Sequence, residues 1–142
     1  MIVDASVVMK WLVIEPDSPS ALDFLASTST LGAPSILPVE VGYVLIKRVH
    51  RKQIEPVGAG RAWASFRRME LKLIDEEVDR DAAFLLALQL GVNLYDCLYL
   101  ALADRIDDLL VTADESFARA VQASAHLRLR TRVRLLSEVV GP

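Results

Sequence analysis

Two stretches of the chain, "MIVDAS" (residues 1–6) and "LVTADESF" (residues 110–117), have the same form. In each, a short apolar run ends at small polar residues that include an aspartate, Asp4 in the first and Asp114 in the second. Apolar, β-branched runs of this kind predict buried strands, and the polar residues that follow predict the start of a helix. A chain that repeats this strand-then-helix pattern is typical of α/β domains.

The rest of the chain alternates in the same way. Further strands are predicted in "TLGAP", "LKLID" and "DLLVT", and the tail "HLRLRTRVRLL" (residues 126–136) alternates apolar and basic residues like an edge strand. Helices are predicted over 5–13, 17–27, 38–54, 60–69, 79–90, 93–106 and 115–123. We expect one domain over residues 1–142, an α/β fold whose mainly parallel sheet of about four or five strands is flanked by helices on both faces.

The composition limits the class of protein. A chain of 142 residues that is 53% hydrophobic can bury a core and is too apolar to be disordered. A net charge of −3 excludes nucleic-acid binding by overall positive charge, so such a role needs local basic patches or a metal ion. The lone Cys97 fits a reducing compartment, and no segment resembles a signal peptide or a membrane span. We expect a cytoplasmic protein.

Four carboxylates lie at predicted helix starts, in or next to apolar sequence: Asp4, Glu40, Asp96 and Asp114. In a parallel sheet the carboxyl ends of the strands meet at one edge, where ligands bind. One interpretation makes each acid only a helix cap or a partner of the helix dipole. For the last stretch, Thr112 and Glu115 would form a capping box and Asp114 would be an acid in the first turn.

The other interpretation is a metal site. Glu40 and Asp96 lie in apolar helices with no lysine or arginine within one turn, and a buried carboxylate without a partner is costly. Mg²⁺ and Mn²⁺ prefer oxygen ligands and would offset the repulsion within such a cluster. Zinc is disfavoured because the two histidines, His50 and His126, have no ligand-like spacing.

Four segments of the chain resemble PIN-domain nucleases, and closely the VapC-type toxins of bacterial toxin–antitoxin pairs. In order along nearly the whole chain they are "MIVDASVVMKWL", "APSILPVEVGYVLIKRV", "LGVNLYDCLYLALA" and "LVTADESFARAV". The resemblance implies a single PIN-like domain in which Asp4, Glu40, Asp96 and Asp114 bind Mg²⁺ or Mn²⁺ and are catalytic. Ser6 and Thr112 match hydroxyl positions that would orient these carboxylates.

The same resemblance implies an activity and partners. The reaction would be metal-dependent hydrolysis of RNA phosphodiester bonds, with a water activated by the metal. The protein would be a homodimer bound by a cognate antitoxin, and the apolar residues at the front of the chain (Trp11, Leu12, Val13, Tyr43, Val44 and Ile46) are candidates for surface beyond the core.

Two groups of cations are candidates for contacts to the RNA backbone. Lys47, Arg48, Arg51 and Lys52 follow one another at the end of the helix that carries Glu40. The tail arginines Arg128, Arg130, Arg132 and Arg134 would share one face of a strand. They would serve either as a charged edge that blocks pairing between chains, or as contacts to RNA or to the antitoxin.

Two rival functions fit an α/β fold with acids at strand ends. A non-enzymatic binding module such as a phospho-receiver usually has an acidic pair after its first strand and a lysine after its last, but "VDAS" has one acid and no lysine follows Lys72. An aspartyl phosphatase commonly has the pattern D-x-D, and here Ser6 stands in the third position. The sequence therefore favours the metal-dependent ribonuclease.

Overall fold

Five short strands form one sheet in which every pair of neighbours is parallel, in the order β3-β2-β1-β4-β5. The structure is a computed structural model that describes residues 1–140. The strands are β1 Ile2–Val3, β2 Gly32–Pro34, β3 Lys72–Ile74, β4 Leu110–Thr112 and β5 Val133–Leu135. The predicted α/β fold with a parallel sheet is confirmed.

The helices connect the strands and cover the sheet. They are α1 Ala5–Leu12, α2 Ser18–Ser27, α3 Leu37–His50, α4 Pro56–Arg67, a 3-10 turn Glu77–Asp79, α5 Arg80–Leu90, α6 Leu94–Arg105, α7 Glu115–Ala123, α8 Leu127–Arg130 and α9 Leu136–Val139. Each predicted helix is present with shifted ends: α4 begins earlier, at Pro56, whose fixed φ suits a first turn. None of the helices in this described part of the chain is long and apolar enough to cross a membrane.

The three inner strands are buried on both faces. Successive side chains of a strand point to opposite faces, and each residue of β1, β2 and β4 is buried. Helix α6 packs against all three of these strands, and α1 packs against β4 as well as against α2, α3 and α4. Strand β3 lies at an edge and is mostly exposed. The predicted helical cover on both faces is therefore confirmed.

The strand order places a topological switch in the middle of the sheet. From β1 the chain builds outward to β2 and β3, and then returns to the other side of β1 to add β4 and β5. The register pairs Ile2 with Leu110 and Val3 with Val111. The segments that leave β1 and β4 therefore start side by side and diverge, which opens a crevice beyond the carboxyl ends of these strands.

The prediction of one edge strand over residues 126–136 is wrong for most of its length. Only Val133–Leu135 forms a strand, residues Leu127–Arg130 form α8, and α9 follows directly. The alternation is overridden by tertiary contacts: Arg130 donates to the carbonyl of Ser124, and Arg128 forms an ion pair with Asp104 at 2.7 Å. The tail arginines therefore do not share one face of a strand, and several are engaged in internal pairs.

Two glycines test the backbone conformations of the structure, because substitution by alanine should change the free energy of unfolding in opposite directions at the two positions. Gly91 ends α5 with φ +66°, a left-handed conformation that costs other residues about 1–2 kcal/mol. Gly60 lies inside α4, where alanine is favoured by about 0.5–1 kcal/mol. A Cβ would meet nothing within 4 Å at either site, so sterics do not interfere.

We expect Gly91→Ala to lower the free energy of unfolding by about 1 kcal/mol and Gly60→Ala to raise it by about 0.5 kcal/mol. Urea denaturation of the two variants beside the wild type measures both changes. Equal signs for the two substitutions would contradict the assigned conformation of Gly91.

Candidate active site

Asp4 joins β1 to α1 and is the N-cap of that helix. Its Oδ1 accepts hydrogen bonds from the backbone N–H of Val7 at 3.1 Å and from the Ser6 hydroxyl at 2.5 Å. The residue is only 3% exposed. Burial raises the pKa of Asp4 above its ordinary value, although these hydrogen bonds oppose the shift. Asp4 is therefore both a structural cap and a buried carboxylate that, within residues 1–140, forms no ion pair.

Asp114 is the matching cap at the end of β4. Its Oδ1 accepts the backbone N–H of Phe117 at 2.9 Å, so Asp114 is the N-cap of α7. The expected capping box of Thr112 and Glu115 is wrong. Thr112 lies in β4, where its Oγ1 accepts the N–H of Asp114 at 3.0 Å, and Glu115 is exposed. A capping box needs its hydroxyl at the N-cap itself, two positions later than Thr112.

The hydroxyls of Ser6 and Thr112 tie the ends of β1 and β4 together. The Ser6 hydroxyl donates to Asp4 and accepts the backbone N–H of Ala113 at 2.8 Å. Its oxygen lies 3.4 Å from Thr112 Oγ1. Residues more than a hundred positions apart therefore fix the orientation of Asp4 and of the segment that carries Asp114.

Glu40 and Asp96 reach the same edge of the sheet from the first turns of α3 and α6. Glu40 Oε2 accepts the hydroxyl of Tyr99 at 2.9 Å, and Asp96 Oδ2 accepts the side-chain amide of Asn93 at 2.5 Å. Asn93 is also the N-cap of α6, with its Oδ1 accepting the N–H of Asp96. Both carboxylates are half-buried, as the apolar sequence around them predicts.

Tyr99 and Asn93 are positioning residues that the sequence analysis missed. Asn93 has a local signal, because it precedes an apolar helix and stands three residues before Asp96, as N-caps do. Tyr99 has only a weak one: it lies one turn after Asp96, on a helix that is apolar throughout. Its partner Glu40 is 59 residues away, and such a contact leaves no mark in the sequence.

The four acids line one cavity of about 330 Å³ beyond the carboxyl ends of β1 and β4. Its walls also include Asn93, Ser6 and Ala113, and on another side Lys10, Glu15 and Arg48. The fold therefore brings Asp4, Glu40, Asp96 and Asp114 together, whereas Thr112 is fully buried beneath them. His50 and His126 do not line this cavity.

The cavity concentrates negative charge. Burial, and after it the charges of Asp4, Asp114 and Glu40, together raise the pKa of Asp96 from its ordinary value of 3.8 to about 7, against the hydrogen bond from Asn93. Burial and then the charge of Asp4 raise the pKa of Glu40, against the hydrogen bond from Tyr99. No salt bridge neutralises any of these four acids within residues 1–140.

The donor set suits a hard divalent cation. In Glu40, Asp96 and Asp114 one carboxylate oxygen accepts a hydrogen bond, and the other oxygen has no protein donor in the described residues. Oxygen-only ligands fit Mg²⁺ or Mn²⁺. In residues 1–140 no three His, Cys, Asp or Glu side chains are already arranged as a closed metal cluster. Asp4 and Asp114 are held at their own helix starts by capping hydrogen bonds, whereas Glu40 is held by Tyr99 of α6.

The thiol next to Asp96 takes no part in this chemistry. Cys97 is fully buried, and burial followed by the charge of Asp96 raises the pKa of its thiol to about 12. A thiol in this state is not a nucleophile near neutral pH. It serves as a small core residue of α6.

Of the four cations predicted to contact RNA, the structure brings only Arg48 to the cavity. Lys47 lies 5.8 Å from the centre of the Tyr43 ring, and Arg51 and Lys52 are exposed beyond the end of α3. Lys10 and Glu15, which the sequence analysis did not single out, lie at the cavity instead.

Comparisons with known proteins identify the family of this chain. Residues 1–122 match the family model of the PIN domain. Ribonuclease VapC3 of Pyrobaculum aerophilum is 31% identical over 127 residues, which cover 87% of this chain and 95% of that protein.

Two solved structures share the fold. The crystal structure of PAE2754 from Pyrobaculum aerophilum aligns with a TM-score of 0.68 at 16% identity, covering 98% of this chain and 85% of the other. The structure of VapBC2 from Rickettsia felis bound to a DNA fragment from their promoter aligns with a TM-score of 0.62 at 18% identity, covering 94% and 96%. The chain is a member of the PIN domain family and, within it, of the VapC type.

Proposed function

We propose that this protein is a Mg²⁺- or Mn²⁺-dependent endoribonuclease that hydrolyses RNA phosphodiester bonds and acts as the toxin of a toxin–antitoxin pair. The observation that carries the proposal is the meeting of Asp4, Glu40, Asp96 and Asp114 in one cavity, where none of them forms a salt bridge within residues 1–140. The name of its relative, Ribonuclease VapC3, supports the activity.

The four acids would hold the cation, and the residues around them would orient the acids. A bound divalent cation would supply Lewis acidity, which lowers the pKa of a water and offsets charge on the phosphate. Ser6 holds Asp4, Tyr99 holds Glu40 and Asn93 holds Asp96. Each of these donors is neutral, so it fixes a carboxylate without cancelling the charge that attracts the cation.

Asp96 makes this binding depend on pH. Its pKa of about 7 means that it carries a proton through much of the range below neutrality. A carboxylate must lose its proton to bind a metal ion, so metal binding competes with protonation at this residue. The charge that the fold concentrates here is thus available mainly at neutral and higher pH.

An antitoxin partner is proposed to bind an apolar groove between α3 and α4. The groove is a cavity of about 440 Å³ whose lining is Pro38, Val39, Gly42, Leu45, Ile46, Ala59, Gly60 and Trp63. Tyr43 and Ile46 are 63% and 57% exposed, as the surplus of apolar residues predicts, whereas Trp11 is buried. An amphipathic helix fits such a groove. The name VapBC2 on a structure of the same fold supports a complex with a second protein.

Self-association and a cytoplasmic location are part of the same proposal. Phe84, Leu85 and Leu88 of α5 are exposed together, and such a face suits a homodimer. Light scattering of the purified chain measures its oligomeric state.

A cytoplasmic location follows from the proposed RNA substrate. The rival binding module leaves the shared charge of the four acids without a role.

RNA cleavage should depend on a divalent metal ion and on the acids of the cavity. We expect the wild type to cleave RNA in Mg²⁺ or Mn²⁺ and to stop with EDTA, because the acids alone cannot activate water. Asp4→Asn and Asp96→Asn should each lower the cleavage rate at least about 100-fold. Cleavage of labelled RNA of several classes, including tRNA, measures this, and expression of the wild type should arrest growth.

Asp81→Asn is the matched control for these variants. Asp81 is also an acid in the first turn of a helix, α5, but it is exposed and does not line the cavity. It should keep wild-type activity. A wild type that cleaves no RNA and does not inhibit growth would refute the proposed function.

Without metal, the raised pKa of Asp96 should make the stability of the protein depend on pH. Folding raises the pKa of Asp96 from 3.8 to about 7, so its favourable contribution is complete below about pH 4 and is lost as the pH rises toward 7. Asp96→Asn removes this penalty, and at about pH 8 it should raise the melting temperature by roughly 3–8 °C. Near pH 5 the two proteins should differ much less, because Asp96 is then protonated.

Added Mg²⁺ or Mn²⁺ should reverse this order. The cation should raise the melting temperature of the wild type more at about pH 8 than at about pH 5.5, and should have little effect on Asp96→Asn. Differential scanning calorimetry of both proteins, with and without metal, measures the two effects. Equal stabilisation of the variant by the metal would argue against Asp96 as a ligand.

A further inference from the structure

Two cations line the same cavity as the four acids, and one glutamate joins them. Lys10 lies in the last turn of α1, Arg48 in the last turn of α3, and Glu15 between α1 and α2. Glu15 Oε2 lies 3.1 Å from Lys10 Nζ, and its Oε1 lies 2.5 Å from Arg48 Nη2. Lys10 also pairs with Asp17 at 3.1 Å. We call Lys10 and Arg48 the cation wall.

The cation wall is held in place and only partly covered. The side chains of Lys10, Arg48 and Glu15 are 13%, 25% and 23% exposed, so they are largely fixed by their surroundings. Each carboxylate oxygen of Glu15 forms an ion pair with one of the two cations. Two long side chains from separate helices are thereby held at one place, which removes much of the entropy that they would lose on binding a ligand.

These pairs do not use all the hydrogen-bond donors. A guanidinium has five N–H groups and Arg48 gives one to Glu15, while an ammonium has three and Lys10 gives two, to Glu15 and Asp17. Within residues 1–140, four N–H groups of Arg48 and one of Lys10 therefore have no protein acceptor. Since both side chains line the cavity, the unused donors are available to a ligand there.

An anionic ligand that approaches the neighbouring acids is the kind of ligand that needs these unused donors. A cavity with four carboxylates repels phosphate, and a divalent cation bound there offsets only part of that charge. An RNA backbone that approaches the acids needs further positive charge within reach of its phosphate oxygens. Arginine offers a planar fork that matches two phosphate oxygens, and lysine offers a point charge.

We propose that Lys10 and Arg48 bind phosphate oxygens of the RNA backbone at this cavity, and that Glu15 is the positioning residue that holds both. This inference rests on the proposed ribonuclease function and names the chain's own contacts to its substrate. It differs from the prediction made from sequence, since Lys47, Arg51 and Lys52 do not line the cavity. The competing explanation is that the two ion pairs only link α1 to α3.

Salt dependence of RNA binding separates the two explanations. The probe is a fluorescein-labelled 2′-O-methyl RNA of about 12 nucleotides, with Ca²⁺ in place of the active metal, over roughly 50–300 mM KCl. The slope of log K against log salt is negative, and each lost phosphate contact on a single strand should make it less negative by about 0.7. A purely structural ion pair would not change this slope.

We expect Lys10→Met and Arg48→Met each to weaken RNA binding about tenfold and to make the slope less negative by about 0.7. Arg48→Lys keeps the charge and the pair with Glu15, so it should keep the slope and lose about threefold in affinity with the fork. Lys72→Met is the matched control: Lys72 is exposed at the start of β3, the opposite end of the sheet from the cavity, and both quantities should stay unchanged.

Cleavage by the wild type in Mg²⁺ and Mn²⁺, measured in parallel, keeps the two proposals apart. Suppose that the wild type cleaves RNA, and that Lys10→Met, Arg48→Met and Arg48→Lys have the slope and affinity of the wild type. This result overturns the cation wall alone. If the methionine variants have less negative slopes but the wild type cleaves no RNA, the ribonuclease proposal is overturned and the cation wall remains as a site for a nucleic-acid backbone. A wild type that does not bind the RNA probe overturns the wall. The Arg48→Lys result decides the matter if the methionine variants melt below the assay temperature.

Discussion

The parallel pairing of β1 with β4 is the constraint on which the rest of the structure depends. It places the segments after Val3 and after Thr112 side by side, and the Ser6 hydroxyl then bridges Asp4 to the backbone of Ala113. Because the chain leaves these strands in opposite directions, no connection covers their carboxyl ends. The cavity exists because of this divergence, and α3 and α6 only have to begin near it to add Glu40 and Asp96.

The same arrangement makes the site electrostatically unfavourable. Burial, and after it the charges of the three other acids, raise the pKa of Asp96 to about 7, which is a loss of stability for the empty fold above that pH. Neutral donors from Ser6, Tyr99 and Asn93 hold the acids without relieving the repulsion. The proposed divalent cation would relieve this repulsion, and its binding would stabilise the fold. The loss of stability in the empty fold and the proposed affinity for a metal ion would then have the same physical origin.

Much of the fold and most of the acidic site could be predicted from the sequence. Strand runs such as "MIV" and "LLVT", the helices between them and the acids at their starts follow from periodicity and capping, which are local. The tail could not be predicted in this way: its alternation predicts a strand, but Leu127–Arg130 form α8, with contacts from Arg128 and Arg130. The capping box at Thr112 failed for a related reason, since that hydroxyl lies within β4.

The sequence by itself determined the α/β architecture and which carboxylates stand at helix starts, because hydrophobic burial and helix capping act between neighbours along the chain. Only the tertiary structure decided that Asp4, Glu40, Asp96 and Asp114 share one cavity, and that Tyr99 supports Glu40. It also decided that Lys10 and Arg48 join them while Lys47 does not. Charges interact through space, and the strand order that sets those distances is a property of the assembled sheet.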